Sequence, residues 1–224
     1  MTHAKIEALV FDAYGTIFDV HSVAATCEQL FPGHGRALSQ AWRVKQLEYT
    51  WLRNSMNKHV DFDVVTRDAL QVACAGLSLT YSEATLVALN AAYRTLTPFA
   101  DAAETLQRLR GKFPLAILSN GAPAMLDAVV RHSGLQGTFQ AVLSVEEVGV
   151  FKPDPRVYQL AVDRLGVARE AIGFVSSNGW DAAGASAFGF TTFWINRAGL
   201  PQERLDAAPD YVLKSLGELP ALVL

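Results

Sequence analysis

Four short stretches of this 224-residue chain carry side chains able to do chemistry: Asp12-Ala-Tyr-Gly-Thr16, Ser119-Asn120-Gly121, Phe151-Lys152-Pro153-Asp154 and Ser176-Ser-Asn-Gly-Trp-Asp181. In three of them the polar residues follow directly on an apolar run, as Asp12 follows ALVF at 8–11. A short apolar run closed by a polar residue and glycine predicts a buried strand presenting its last side chains at its carboxyl end. The remaining stretch sets Lys152 in a proline-stiffened turn ahead of a helical segment. One such strand end is ordinary. Four of them, bearing Asp, Ser, Asn, Lys and Asp, predict a single shared site, because ligands of open α/β sheets bind outside the carboxyl ends of the strands. The acids are few, however. A phosphate-handling site would usually carry a second acid two residues after Asp12, and this chain has Tyr14 there.

The elements that must position these residues alternate. From residue 98 on, helical and strand-like runs follow one another: helical at 98–110, strand-like at 115–120, helical at 124–132, then strand-like at 141–149. A helix around 154–166 and strand-like runs at 172–178, 191–196 and 211–216 continue the series. This alternation predicts an α/β fold with a doubly wound, mostly parallel Rossmann-like sheet. Residues 17–97 break the pattern. The segment 34–55 repeats apolar residues at Leu38, Trp42, Leu47 and Trp51, and 61–76 and 81–95 also read as amphipathic helices. The expected organisation is a core made of 1–16 and 98–224, with an all-helical cap inserted at 17–97.

In order and spacing, DAYGT at 12–16, LSNG at 118–121, FKPDPRVY at 151–158 and SSNGWDAAGA at 176–185 resemble the motifs of the haloacid dehalogenase superfamily. More narrowly, together with the cap segment WRVKQLEYTWLR at 42–53, they resemble the L-2-haloacid dehalogenases. The phosphatases of the superfamily use a second Asp as general acid and acidic residues in the last motif to hold Mg²⁺. Here those places are Tyr14, Ser177 and Asn178. Magnesium wants several hard oxygens in octahedral geometry, whereas Asp12 and Asp181 are the only motif carboxylates apart from Asp154. A halide leaves carbon without being protonated, so one carboxylate nucleophile with no acid and no metal suits carbon–halogen displacement. A magnesium-dependent phosphatase of the same superfamily is the alternative. A non-catalytic interaction protein is disfavoured by the joint presence of Asp12, Lys152 and Asp181.

The resemblance implies the following roles. Asp12 attacks the halogen-bearing carbon of a short L-2-haloalkanoate, forming an aspartyl ester that water hydrolyses to the D-2-hydroxy acid. Lys152 stands beside Asp12 and keeps it ionised, since an opposite charge favours the charged form. Asp181, oriented by Asn178, positions or activates the water. Thr16 and Ser176 hydrogen-bond to Asp12, and Tyr158 buttresses Lys152. Ser119 and Asn120 take the substrate carboxylate. Tyr14, Leu47, Phe62 and Trp180 wall an apolar pocket that excludes water. The helix at 34–55 offers Arg36, Arg43, Lys45 and Arg53 as a halide cradle; periodicity does not choose between them, and the resemblance selects Arg43. A homodimer is expected on the same ground.

Composition excludes other classes. With 19 Lys and Arg against 22 Asp and Glu the net charge is −3, and no basic block offers a surface to nucleic acid or anionic membrane. No stretch approaches the roughly 20 apolar residues of a membrane span. The start, MTHAKIEALVFD, lacks the pattern of a signal peptide. Cys27 and Cys74 fit a reducing compartment, so a cytoplasmic enzyme without cofactor is expected. The five histidines form no pair at metal-ligand spacing and read as surface or helix-end residues. Neither a Gly-x-Ser-x-Gly elbow nor a dinucleotide fingerprint occurs.

Overall fold

A computed structural model describes residues 5–224; His3, read from sequence as a surface residue, lies outside them. The apolar runs form β1 (Ala8–Phe11), β2 (Leu115–Ser119), β3 (Ala141–Ser144), β4 (Ile172–Ser176), β5 (Thr191–Ile195) and β6 (Tyr211–Leu213). All pair in parallel in the order β3-β2-β1-β4-β5-β6. Strands covered on both faces need continuous rather than alternating apolar residues, and β1, β2, β4 and β5 are buried along their whole length. Helices α5 (Ala102–Leu109), α6 (Pro123–His132), α7 (Pro155–Leu165), α8 (Gly179–Phe188) and the short α9 (Pro220–Val223) belong to this layer system.

Strand order reverses at β1, whose neighbours are β2 on one side and β4 on the other. A crevice opens at such a reversal, beyond the carboxyl ends. Asp12, Ser119 and Ser176 come from the ends of these three central strands, so topology alone draws the three motifs together. Three strands are shorter than their sequence patterns by two residues or more. The run at 141–149 stops at Ser144, whose hydroxyl donates to Gly121 O (2.7 Å) and accepts from Glu146 N (3.2 Å), starting a 3₁₀ turn. The runs at 172–178 and 211–216 likewise end at Ser176 and Leu213.

Residues between β1 and α5 are helical: α1 (Ala24–Leu30), α2 (Gly35–Ser55), α3 (Phe62–Gly76) and α4 (Glu83–Ala92). The chain leaves and returns through two adjacent segments joined by Asp19 N–Thr97 O (2.8 Å) and Phe99 N–Ile17 O (2.9 Å). Buried Trp42 and Gln46 on α2 donate to Thr66 O (2.8 Å) and Thr66 Oγ1 (3.0 Å) on α3, and Tyr93 Oη donates to Gln46 Oε1 (2.9 Å). Satisfied polar groups of this kind set helix register, because a slip would leave each of them unpaired in an apolar interior. Cys27 and Cys74 are buried free thiols. Among the described residues no helix is long and apolar enough to cross a membrane.

Candidate active site

Asp12 follows β1, continuing its ladder through Asp12 N–Val175 O (2.9 Å), and its carboxylate is almost fully buried. Oδ1 accepts from Lys152 Nζ (3.1 Å), while Oδ2 accepts from Thr16 Oγ1 (2.9 Å) and Asn178 Nδ2 (2.8 Å). Three donors thus satisfy both oxygens of this buried carboxylate. The Thr16 oxygen in turn accepts from Ser177 N (2.8 Å), tying the β1 end to the β4 end.

Lys152 lies in the turn before α7 and is wholly buried. Pro155 opens that helix and the Asp154 side chain caps it, so the backbone leading from Lys152 is held by local chemistry. The neighbouring Asn120 pins the turn from the other side, its Oδ1 accepting from Lys152 N (2.9 Å). A second bond from Lys152 Nζ reaches Asp181 Oδ2 (2.9 Å). Burial disfavours the ammonium, but the charges of Asp12 and Asp181 outweigh it and raise its pKa. Asp181 occupies the first turn of α8, where the helix dipole favours an acid. Burial is the largest influence on its carboxyl and drives the pKa up; Lys152 opposes this and Asp12 adds to it. Gly184 lets α8 approach closely enough for these contacts, since a Cβ there would lie 2.6 Å from Pro153 and 2.7 Å from the Tyr158 hydroxyl.

Three contacts expected from sequence fall elsewhere. The Ser176 hydroxyl donates to Asp181 Oδ2 (3.0 Å), not to Asp12. Asn178 sits at the N-cap of α8, but its side chain turns to Asp12 and to Tyr14 O (3.2 Å) rather than orienting Asp181. The Tyr158 hydroxyl donates to Asp181 Oδ1 (2.8 Å) and so steadies Lys152 only through that acid. Asp181 is thus held by Lys152, Ser176 and Tyr158, and Asp12 by Lys152, Thr16 and Asn178.

Above the carboxylate, Asp12, Tyr14, Arg43, Leu47, Phe62, Ser119, Asn120, Lys152, Asn178 and Trp180 line a nearly closed cavity of about 10 Å³, room for about one water. Thr16, Ser176, Asp181 and Tyr158 stand behind this lining. Arg43 and Leu47 lie one helical turn apart on α2 and face the same way. One Arg43 nitrogen approaches Tyr14 O (3.3 Å) and Asn178 Oδ1 (3.5 Å). The competing cations point elsewhere: Arg36 is exposed, Lys45 pairs with Glu48 (2.6 Å) and Arg53 with Asp68 (2.8 Å). Tyr14 packs on Phe62 (ring centroids 6.1 Å apart) and lies so close to Gly121 that a Cβ there would be 2.5 Å from its ring.

Sequence reading missed two residues that join α2 and its following loop to the sheet. The Asn54 side chain clamps the backbone of Phe151, donating to its carbonyl (2.7 Å) and accepting from its N–H (2.9 Å). Asn54 stands in the last turn of a helix, where asparagine reads as a simple helix end. His59, taken from sequence as a surface residue, is half-buried against Phe151 and pairs with Glu146 (2.9 Å). No local pattern signals that pairing across 87 residues.

The donor set is a poor match to magnesium. Lys152 Nζ already bridges the Asp12 and Asp181 carboxylates (3.1 and 2.9 Å), and Tyr14, Ser177 and Asn178 bring no further charge. Among the described residues no three His, Cys, Asp or Glu side chains gather as a metal-binding group. A cationic bridge between two carboxylates, one of them facing a dry cavity, suits nucleophilic displacement by a carboxylate.

Residues 6–189 match the model of the haloacid dehalogenase-like hydrolases. The chain is 51% identical over 212 residues to an (S)-2-haloacid dehalogenase of Pseudomonas sp. (strain YL), covering 94% of this chain and 91% of that protein. Among solved structures, an L-2-haloacid dehalogenase superposes with a TM-score of 0.96 at 47% identity, covering 98% of this chain and 99% of that one. The L-2-haloacid dehalogenase of Xanthobacter autotrophicus, solved with chloropropionic acid covalently bound, superposes at 0.92 with 44% identity, covering 97% and 98%.

Proposed function

Since the chain belongs to the haloacid dehalogenase-like hydrolases, we propose that it is an (S)-2-haloacid dehalogenase, converting short L-2-haloalkanoic acids to D-2-hydroxy acids through an ester on Asp12. The observation that carries this reading is the division of labour on the Asp12 carboxylate. Oδ2 is held by two donors, Thr16 and Asn178, whereas Oδ1 has only the ammonium of Lys152. The less engaged Oδ1 is the nucleophile. It attacks the substrate Cα opposite the halogen, the C–O bond forms as the C–X bond breaks, and halide leaves with the electron pair. Arg43, permanently charged and half-buried beside the cavity, receives the anion. Ser119 and the Asn120 main chain take the substrate carboxylate; the Asn120 side chain is committed to Lys152 N.

In the ester, Oδ2 becomes the carbonyl oxygen. Thr16 and Asn178 then already point at the atom where negative charge grows when water adds, which is the arrangement that accelerates acyl transfer. Asp181 takes the proton of that water, its raised proton affinity making it the better base. As the adduct collapses, the departing alkoxide of the hydroxy acid takes the proton back from Asp181, and the remaining proton is lost to solvent as the Asp12 carboxylate is restored. A single displacement at Cα inverts its configuration. The covalently bound chloropropionic acid in the Xanthobacter enzyme supports the same route.

Residues 17–97 act as a cap over this site and 1–16 with 98–224 as its core, a division supported by the paired entry and exit segments. The enzyme works as a cytoplasmic homodimer; an exposed apolar groove on α2 and α3, lined by Tyr49, Leu52, Met56 and Val72, supports association.

A single turnover in H₂¹⁸O with enzyme in excess tests the covalent step. Label should enter the peptide bearing Asp12 and leave the first product unlabelled. Label in the product and none in Asp12 would mean direct attack by water and would overturn these roles.

A further inference from the structure

The reaction cavity ends at Trp180, and so does a second, larger space. On the far side of this indole lies an open groove of about 510 Å³, lined by Trp51, Asn54, Pro153, Trp180, Glu203 and Leu205. Among the described residues, Trp180 alone lines both. We propose that the groove is a subsite for the alkyl tail of longer 2-haloalkanoic acids, with Trp180 as the movable partition between it and the reaction cavity. The inference rests on the dehalogenase reading above and extends it to substrate chain length.

Three observations carry it. First, the cavity has room for about one water, less than any 2-haloalkanoate fills, so its wall must move to admit substrate, and the groove is the apolar volume on the other side of that wall. Second, Trp180 is held by packing alone. Its ring meets Trp51 edge-on at 5.4 Å and 81°, and its indole N–H is buried without a hydrogen-bond partner. Turning the ring therefore breaks no polar bond, and it relieves the burial of an unsatisfied donor. Third, the groove has the wrong charge for the substrate's other end. Its one charged lining residue is Glu203, whose side chain packs against Gly179. A carboxylate is repelled there, while Lys152 and Arg43 lie on the cavity side; the acid is thus oriented head inward and tail outward.

The test compares substrates with one leaving group and two tail lengths, L-2-bromopropionate and L-2-bromohexanoate. Two variants, Leu205→Asp and Trp51→Ala, alter exposed groove residues that do not line the reaction cavity. In both, kcat/KM for bromohexanoate should fall about tenfold, the effect of losing a methylene-sized contact, with the loss in KM, while bromopropionate changes less than twofold. Equal loss on both substrates, or no loss on either, overturns the proposal. Hexanoate, which has the tail and no halogen, separates this from the chemistry: by calorimetry it should bind the unaltered protein more tightly than propionate, and no more tightly than propionate in Leu205→Asp. Protein that binds hexanoate preferentially yet releases no bromide refutes the dehalogenase reading and leaves the groove standing. Equal binding of the two acids refutes the groove.

Discussion

Replacing Lys152 by methionine keeps the length of a wholly buried side chain and removes the one cation between two buried acids. Asp12 and Asp181 then face each other across a dry interior with Thr16, Asn178, Ser176 and Tyr158 as their only donors. Removing one partner of a buried ion pair costs about 3–5 kcal/mol, a large share of the roughly 5–15 kcal/mol that holds a protein folded. At about 2–4 °C per kcal/mol for a chain of this size, the melting temperature at pH 8 should drop by about 6–20 °C. The pH dependence carries the sign. The Asp181 carboxyl already has a raised pKa because burial disfavours its charge. Such a group weakens the fold as pH rises from its unfolded value through the folded one, and without Lys152 the folded value climbs further. The stability gap between unaltered and Lys152→Met protein should therefore be widest at pH 8 and narrow towards pH 5, where an acid can take up a proton. The lysine's own contribution, from a raised pKa, is present in full below its ordinary value and is lost only as strongly alkaline pH passes the folded one. Differential scanning fluorimetry at a series of pH values, with halide release measured beside it, reads both effects. Activity should fall about 10³-fold, at the upper end of what one lost charge-stabilising contact costs. A variant as stable as the parent at pH 8, or one that still turns over, would refute the bridging role.

Arg43→Ala should lower the rate of halide release about 100-fold with little change in melting temperature, whereas Arg36→Ala on the exposed side of α2 should leave activity unchanged; the reverse result would mean that another cap cation receives the halide. Tyr158→Phe deletes one donor to Asp181 and should slow ester hydrolysis more than displacement, visible as a burst of halide equal to the enzyme concentration ahead of hydroxy acid. A parallel decline of both steps would remove Asp181 from the second step. Exhaustive dialysis against EDTA should leave halide release intact, and a loss restored only by Mg²⁺ would return the chemistry to a metal-dependent phosphatase.

The parts of this protein visible in its sequence are those written in local patterns. Continuous apolar runs ending in Asp12, Ser119 and Ser176 identify central parallel strands, because only strands covered on both faces need them. The proline and acid around Lys152 announce a turn before a helix, since the cap and the missing N–H act within a few residues. Chemistry was legible to the same depth: Tyr14, Ser177 and Asn178 replace acids, and that is a statement about residue types. Partnership was not. Ser176 and Asn178 stand two residues apart at one strand end, and either could have reached Asp12; the start of α8 directs Asn178 to it and leaves Ser176 to Asp181. Arg36, Arg43, Lys45 and Arg53 are equivalent to any periodicity argument, and only the rotation of α2 against the sheet turns Arg43 inward. The clamp of Asn54 on Phe151, the pairing of His59 with Glu146 and the shared wall at Trp180 join residues about 90 to 130 positions apart. Hydrogen bonds and cavities of that kind depend on where two side chains meet in space, and no local preference of either segment encodes the meeting.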